Sequence, residues 1–153
     1  MESPDSPINR KRRRKAEKMY ARYRWSFRGI QEIKAKEAVR LQSQNRVVFV
    51  DVRDPAERAV SMLPGALTEA EYLKAPQRFR EKIVLCYCTI GYRSGLFVKK
   101  YGPKYPNLYN LSGGFILWLH AGGTMEKDGS GTLQVHVYGR KWALQPEGYF
   151  PVY

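Results

Sequence analysis

Three short apolar runs set the rhythm of this chain: Val47–Val52 (interrupted only by Asp51), Ile83–Tyr87 and Leu108–Leu111. Each is too short for a free-standing helix and lacks polar alternation, which suits strands covered on both faces. Between them the period changes. Residues 30–44 predict an amphipathic helix with Ile33, Ala38 and Leu41 turned inward, and Gly95–Tyr101 predicts a second helix ended near Gly102-Pro103. Residues 67–80 are polar, with Tyr72, Leu73 and Phe79 as anchors. Strands alternating with helices imply βαβ crossovers, so the fold class is α/β with a mainly parallel central sheet flanked by helices. Sites in such sheets form beyond the carboxyl ends of strands. Cys88 sits at one such end, and Asp51 to Arg53 at another.

After Gly131 the pattern loosens. Residues 134–142 predict one more strand with aromatic punctuation, and residues 146–153 read as irregular. Tyr138, Trp142, Tyr149 and Phe150 are expected to pack on the outside of the domain, since aromatics chiefly supply burial. The first nine residues are polar, contain two prolines and read as disordered.

Charge is uneven. Of the net +13 carried by 153 residues, +8 lies in residues 1–40, concentrated in the block Arg10–Lys15. Tyr20, Tyr23 and Phe27 follow at helical spacing. The block, with Arg22, Arg24 and the ring of Trp25, mixes phosphate-seeking charge with stacking surface. That makes RNA or another polyanion a candidate partner through residues 10–28. The same residues would serve as a nuclear import signal, an anionic-membrane contact or a solvated tail. Two cysteines are too few for a disulfide framework. No apolar run approaches the roughly 18 residues of a membrane span, and no apolar stretch follows the basic block as a secretory signal requires. A soluble cytoplasmic protein is expected, with nuclear or organellar placement the alternative.

The candidate chemistry lies in Cys88-Thr89-Ile90-Gly91-Tyr92-Arg93-Ser94. A thiol at a strand-to-helix turn faces backbone N–H groups and the positive end of the helix macrodipole, and Arg93 adds a full charge. All three favour the thiolate, which is the nucleophile. The N–H groups of residues 89–94 can cradle an anion, and Gly91 lets the backbone curl. The Ser94 hydroxyl can donate to sulfur or cap the helix. Arg93 has two candidate roles, binding an anionic donor or tying the loop to an acidic residue. Cys86, two residues earlier, reads as a small buried core residue. His120 and His136 have no neighbours at metal-ligand spacing, so no metal is expected.

Four pieces in order extend this loop to a family: Asp51-Val52-Arg53 at a strand end, Leu63-Pro64-Gly65-Ala66, the Cys88 loop, and Ser112-Gly113-Gly114-Phe115 followed by Trp118 and Ala121-Gly122. Over roughly residues 28–123 the chain resembles a single rhodanese-like domain. The organisation expected is a basic, flexible arm (1–27), that domain (28–123) and an extension packing on it (124–153).

The resemblance implies a sulfurtransferase. Cys88 would take sulfane sulfur from thiosulfate or a persulfide donor, hold it as a persulfide and yield it to a thiol or other nucleophile, in ping-pong order and without a cofactor. Residues 89–94 would bind the substrate. Asp51 and Arg53 would frame the pocket floor or serve as scaffolding. Ile90 and Tyr92 make the loop less polar than free thiosulfate requires and point to a protein or low-molecular-weight persulfide donor. The alternative is a non-catalytic rhodanese-fold binding module, which would need neither Cys88 nor Arg93. Only four residues separate Cys88 from Arg93, against five in cysteine phosphatases, a tighter cradle that disfavours phosphatase or arsenate reductase chemistry. Where many members carry Gly-His before the Pro-Gly-Ala turn, Ser61 and Met62 stand here.

Overall fold

Period-2 alternation inside the apolar runs builds a two-faced sheet. The computed structural model describes residues 3–153. Its main sheet has five strands in the order β1-β5-β4-β2-β3, and every pairing is parallel. The strands are β1 (Glu32–Ile33), β2 (Val47–Asp51), β3 (Leu67–Thr68), β4 (Ile83–Tyr87) and β5 (Leu108–Leu111). Phe49, Leu85, Tyr87 and Leu111 face one core layer; Val50, Val84, Cys86 and Leu108 face the other. The fold is therefore α/β with helices against both faces, as expected for rhodanese-like architecture.

The three central strands coincide with the three apolar runs. The two edge strands are only two residues long and carry no periodic signal of their own. The helix expected over residues 30–44 is shorter, α2 (Ala35–Ser43), because Ile33 extends along β5 before the helix begins. Ile33, Ala38 and Leu41 are all buried. The other helices of the domain are α3 (Pro55–Val60), α4 (Glu69–Lys74), α5 (Tyr92–Tyr101) and α6 (Gly114–His120). Tyr72 on α4 is fully buried against Phe79 and Tyr105.

The expectation of a flexible arm is corrected. Residues 7–23 form helix α1 (Pro7–Tyr23), started by the Ser6 side chain accepting from the Asn9 N–H at 3.1 Å. One face of α1 is apolar: Ala16 and Met19 enter the same core as Phe115, Ile116 and Leu119 of α6. Arg10, Lys11, Arg14, Lys15 and Lys18 form the exposed opposite face. The basic block had masked this, because its charges occupy only the outer side of an amphipathic helix. Residues 1–2 of the expected disordered stretch lie outside the described residues. Residues 3–9, by contrast, are tied down: the Glu147 N–H donates to Asn9 Oδ1 at 2.8 Å, and Ser6 Oγ donates to Glu147 at 3.0 Å.

The C-terminal segment is equally integrated. A hairpin, β6 (Met125–Lys127) with β7 (Ser130–Thr132), joins the Met62 backbone. Then β8 (Gln134–His136) pairs in parallel with β9 (Phe150–Val152), in the stretch that read as irregular. Val135, Val137 and Leu144 lie in the same core as α1 and α6. The three expected parts thus share one hydrophobic core. Among the described residues no helix is long and apolar enough to cross a membrane.

Candidate active site around Cys88

Strand β4 ends at Tyr87, so the chain leaves the sheet at Cys88, and Gly91 turns it into α5. Gly91 has φ +101°, the left-handed region open to glycine, and a Cβ there would meet the Tyr20 ring of α1 at 2.6 Å. The turn aims the Gly91 N–H at Cys88 Sγ, 3.2 Å away, and brings Ser94 Oγ to 3.5 Å. Ser94 makes no cap, so of its two expected roles it takes the one beside the sulfur. The carbonyls of the same loop are held from behind by α6: the N–H of Phe115 donates to Cys88 O at 3.0 Å, and that of Ile116 to Thr89 O at 3.3 Å. Gly114 permits this approach, since a Cβ at that position would lie 2.3 Å from Thr89 O. Asn110 completes the buttress, donating to Gly91 O at 3.1 Å and to the Tyr20 hydroxyl at 3.0 Å.

Arg93 ties the loop to an acidic residue. Its guanidinium makes a two-pronged pair with Glu57 on α3 at 2.7 and 2.8 Å and reaches Thr89 Oγ1 at 3.3 Å. Burial alone would lower the Arg93 pKa, but Glu57 and the nearby sulfur raise it further. Burial would likewise push the Glu57 carboxyl up; Arg93 and the Asp54 N–H outweigh it and hold it below the usual carboxylate range. A depressed carboxylate contributes stability above its unfolded value, about 4.3, and loses it as pH falls through the folded one. The clamp is therefore expected to hold unchanged from neutrality to about pH 5 and to lose its contribution as the pH falls further, below the unfolded value. Glu57→Gln should cost about 1–2 kcal/mol, at the low end because the Arg93 side chain is 30% exposed. Urea melts of both proteins across that range check this; an acid-induced loss of equal size in Glu57→Gln would assign the step elsewhere.

Asp51 and Arg53 are brought together but do not line the cavity over the thiol. Both side chains are fully buried and paired at 2.8 Å. The Tyr87 hydroxyl donates to Asp51 at 2.6 Å and accepts from the Leu63 N–H at 3.0 Å, while Arg53 donates to Ser61 O at 2.6 Å. Arg53 also stacks over Phe115, 5.1 Å from its centroid. Burial works against the Arg53 charge, yet Asp51 more than offsets it and raises its pKa. The pair therefore braces the residue before Cys88 and the residue that holds its carbonyl. This is the scaffolding role.

Cys88 is 1% exposed and faces a cavity of about 310 Å³ lined also by Tyr23, Thr89, Ile90, Tyr92, Arg93, Tyr138 and Trp142. A larger depression of about 540 Å³ around Trp25 and Arg28 contains no thiol, so the smaller one holds the chemistry. Tyr23, Tyr138, Trp142 and Glu57 were not among the expected site residues. Glu57 had one signal: three residues after Asp54 it reads as a capping partner, and it does accept from the Asp54 N–H at 3.0 Å. Tyr138 and Trp142 lie on the outside of the domain, as expected, and there they roof the cavity. Cys86 lies in the opposite core layer, where burial pushes its thiol pKa far up and leaves it inert. His120 contacts Leu144 O at 2.8 Å, and His136 accepts from the Tyr138 N–H at 3.2 Å; neither lines the cavity. Among the described residues no cluster of His, Cys, Asp or Glu could hold a metal.

Comparison with known proteins agrees with this fold. The family model of the rhodanese-like domain matches residues 34–121. A sulfurtransferase of Allochromatium vinosum is 36% identical over 90 residues, 54% of this chain and 81% of its own. Among solved structures, a protein of unknown function from Rhodopseudomonas palustris, described as a possible tyrosine phosphatase, superposes with TM-score 0.55 at 26% identity, covering 72% of this chain and 93% of its own. A thiosulfate sulfurtransferase from Pseudomonas aeruginosa superposes with TM-score 0.59 at 20% identity, covering 76% of this chain but 23% of its own.

Proposed function

The chain belongs to the rhodanese-like domain family, and we propose that it is a sulfurtransferase that carries sulfane sulfur on Cys88. The observation that carries this reading is the sulfur itself. It stands at the floor of a half-open cavity, with the Gly91 N–H directed at it and the Ser94 hydroxyl beside it. Those groups would stabilise negative charge on a thiolate or on the terminal sulfur of a persulfide without reorganising. The Cys88 thiolate attacks the outer sulfur of the donor; the donor's S–S bond breaks, and sulfite or a thiolate leaves with the electron pair. An acceptor thiol, as thiolate, then attacks the terminal sulfur, and Cys88 leaves as thiolate. Electrons balance over the two steps, so no cofactor takes part.

The four-residue spacing between Cys88 and Arg93, with Arg93 clamped by Glu57, supports sulfur transfer over phosphoryl transfer. Among the described residues, Arg93 is the one guanidinium lining the cavity, and Glu57 rather than a phosphate's equatorial oxygens takes both of its terminal nitrogens. The test is intact mass after incubation with thiosulfate, and separately with a low-molecular-weight persulfide, in the absence of reductant. The parent should gain one sulfur atom that cyanide removes, and Cys88→Ser should gain none. No gain with either donor would leave a non-catalytic binding module as the better description.

A further inference from the structure

Four aromatic rings from three separate parts of the chain converge above one thiol. Tyr23 ends α1, Tyr92 starts α5, and Tyr138 and Trp142 belong to the C-terminal segment. They are joined to one another. The Tyr23 and Tyr92 rings are 5.2 Å apart, those of Tyr138 and Trp142 are 5.3 Å apart and nearly perpendicular, and Trp142 Nε1 donates to the Tyr23 hydroxyl at 3.3 Å. Core packing accounts for Tyr23 and Trp142, which rest against the main core, but not for Tyr92 and Tyr138, which are exposed. Tyr138 is 57% exposed, and its φ of +65° is a conformation that bulky side chains rarely adopt. The fold thus holds an exposed ring in place against backbone strain.

Electrostatics narrows what could enter. Among the described residues Arg93 is the one charged side chain in the cavity lining. Both of its terminal nitrogens are engaged by Glu57, and the Tyr138 ring covers it at 5.1 Å. A small inorganic dianion would have to shed its water for an already neutralised ion pair and aromatic walls. An organic monoanion would instead present one charge to the Gly91 N–H and lay its apolar body against the rings. The volume, about 310 Å³, is at the small end of ligand cavities and suits a single ring.

We propose that this chamber selects an organic sulfane-sulfur donor, a monoanion with an aromatic or flat apolar body, over thiosulfate. The inference rests on the assignment of Cys88 as the sulfur carrier. With an arenethiosulfonate, the Cys88 thiolate attacks the terminal sulfur and the donor's S–S bond breaks. The arenesulfinate leaves with the electron pair, and no external oxidant is needed.

The experiment compares sulfur uptake, read by intact mass over time, from benzenethiosulfonate, methanethiosulfonate and thiosulfate. In parallel, tryptophan emission of Cys88→Ser is titrated with unreactive benzenesulfonate. The ring-bearing donor should be preferred over its methyl analogue by roughly tenfold in kcat/KM, the scale of one apolar group in a fitted pocket. Benzenesulfonate should quench saturably, and the quenching should be lost when Trp142→Phe is added. Tyr138→Gly tolerates the positive φ and removes the ring, so it should lower the benzene-to-methyl preference several-fold, while Tyr138→Phe retains it. Equal use of the two thiosulfonates, or an unchanged preference in Tyr138→Gly, overturns the inference and leaves sulfur carriage intact. Saturable quenching without sulfur uptake from any donor supports the chamber and overturns the sulfurtransferase assignment. Neither quenching nor uptake overturns both.

Discussion

Asp51→Ala is expected to cost about 3–5 kcal/mol of folding free energy, the penalty for leaving one partner of a fully buried ion pair without the other. Asp51 accepts three hydrogen bonds from the Arg53 guanidinium, one from the Arg53 N–H at 2.9 Å and one from Tyr87 at 2.6 Å. Alanine would remove every one of these acceptors and keep the Arg53 charge, whose side chain has no exposure to water. The double variant Asp51→Leu with Arg53→Met should recover much of the loss, because an apolar pair of similar volume removes both charges together. Equilibrium urea denaturation of the three proteins decides the matter. A loss below about 1 kcal/mol in Asp51→Ala would mean that Arg53 finds water or another partner, and the pair would lose its role as a brace.

Removing residues 1–27 should do more damage still: the remaining chain is expected not to fold cooperatively. Met19, Tyr20 and Phe27 are buried, and losing a large buried side chain costs about 2–5 kcal/mol each. Three such losses rival the whole stability of a domain this size, about 5–15 kcal/mol. The Cys88 loop loses its outer support at the same time, since the Tyr20 ring packs on Gly91 and the Phe27 ring on Gly95. Circular dichroism with thermal melting of the shortened chain is the measurement, and a cooperative transition within a few degrees of the parent's would refute the prediction. Polyanion binding should therefore be probed by charge reversal at exposed Arg14 and Lys18, which leaves the buried face untouched. Salt-sensitive RNA binding lost in that variant would assign a partner to the outer face of α1; unchanged binding would exclude that face.

How far the sequence could be read depended on the range of the signal. The central strands and Cys88 were legible because each rests on contiguous residues: an apolar run, a glycine, a following helix. The role of α1 was hidden by its composition. Ala16, Met19 and Tyr20 form an apolar stripe, but the surrounding arginines and lysines dominate any average over the segment. The roof of the cavity was hidden for another reason. Tyr138 and Trp142 lie about fifty residues beyond Cys88 in the chain, and nothing local places them over it. Their approach depends on β8 pairing with β9, across a segment with little periodicity. Arg93 was seen, but its partner Glu57 is contributed by a helix thirty-six residues away.

The brevity of β1 and β3 has a consequence for life at high concentration. A parallel sheet with apolar interior strands is a hazard if its borders are long and flat, because a neighbouring chain can add its own strand to the unpaired backbone. Here each border strand is two residues long. The run of free N–H and C=O groups on offer is too short to template another strand, and the chain turns away on both sides of it. Copies of this protein can meet through their side chains, but the sheet itself gives them almost nothing to extend.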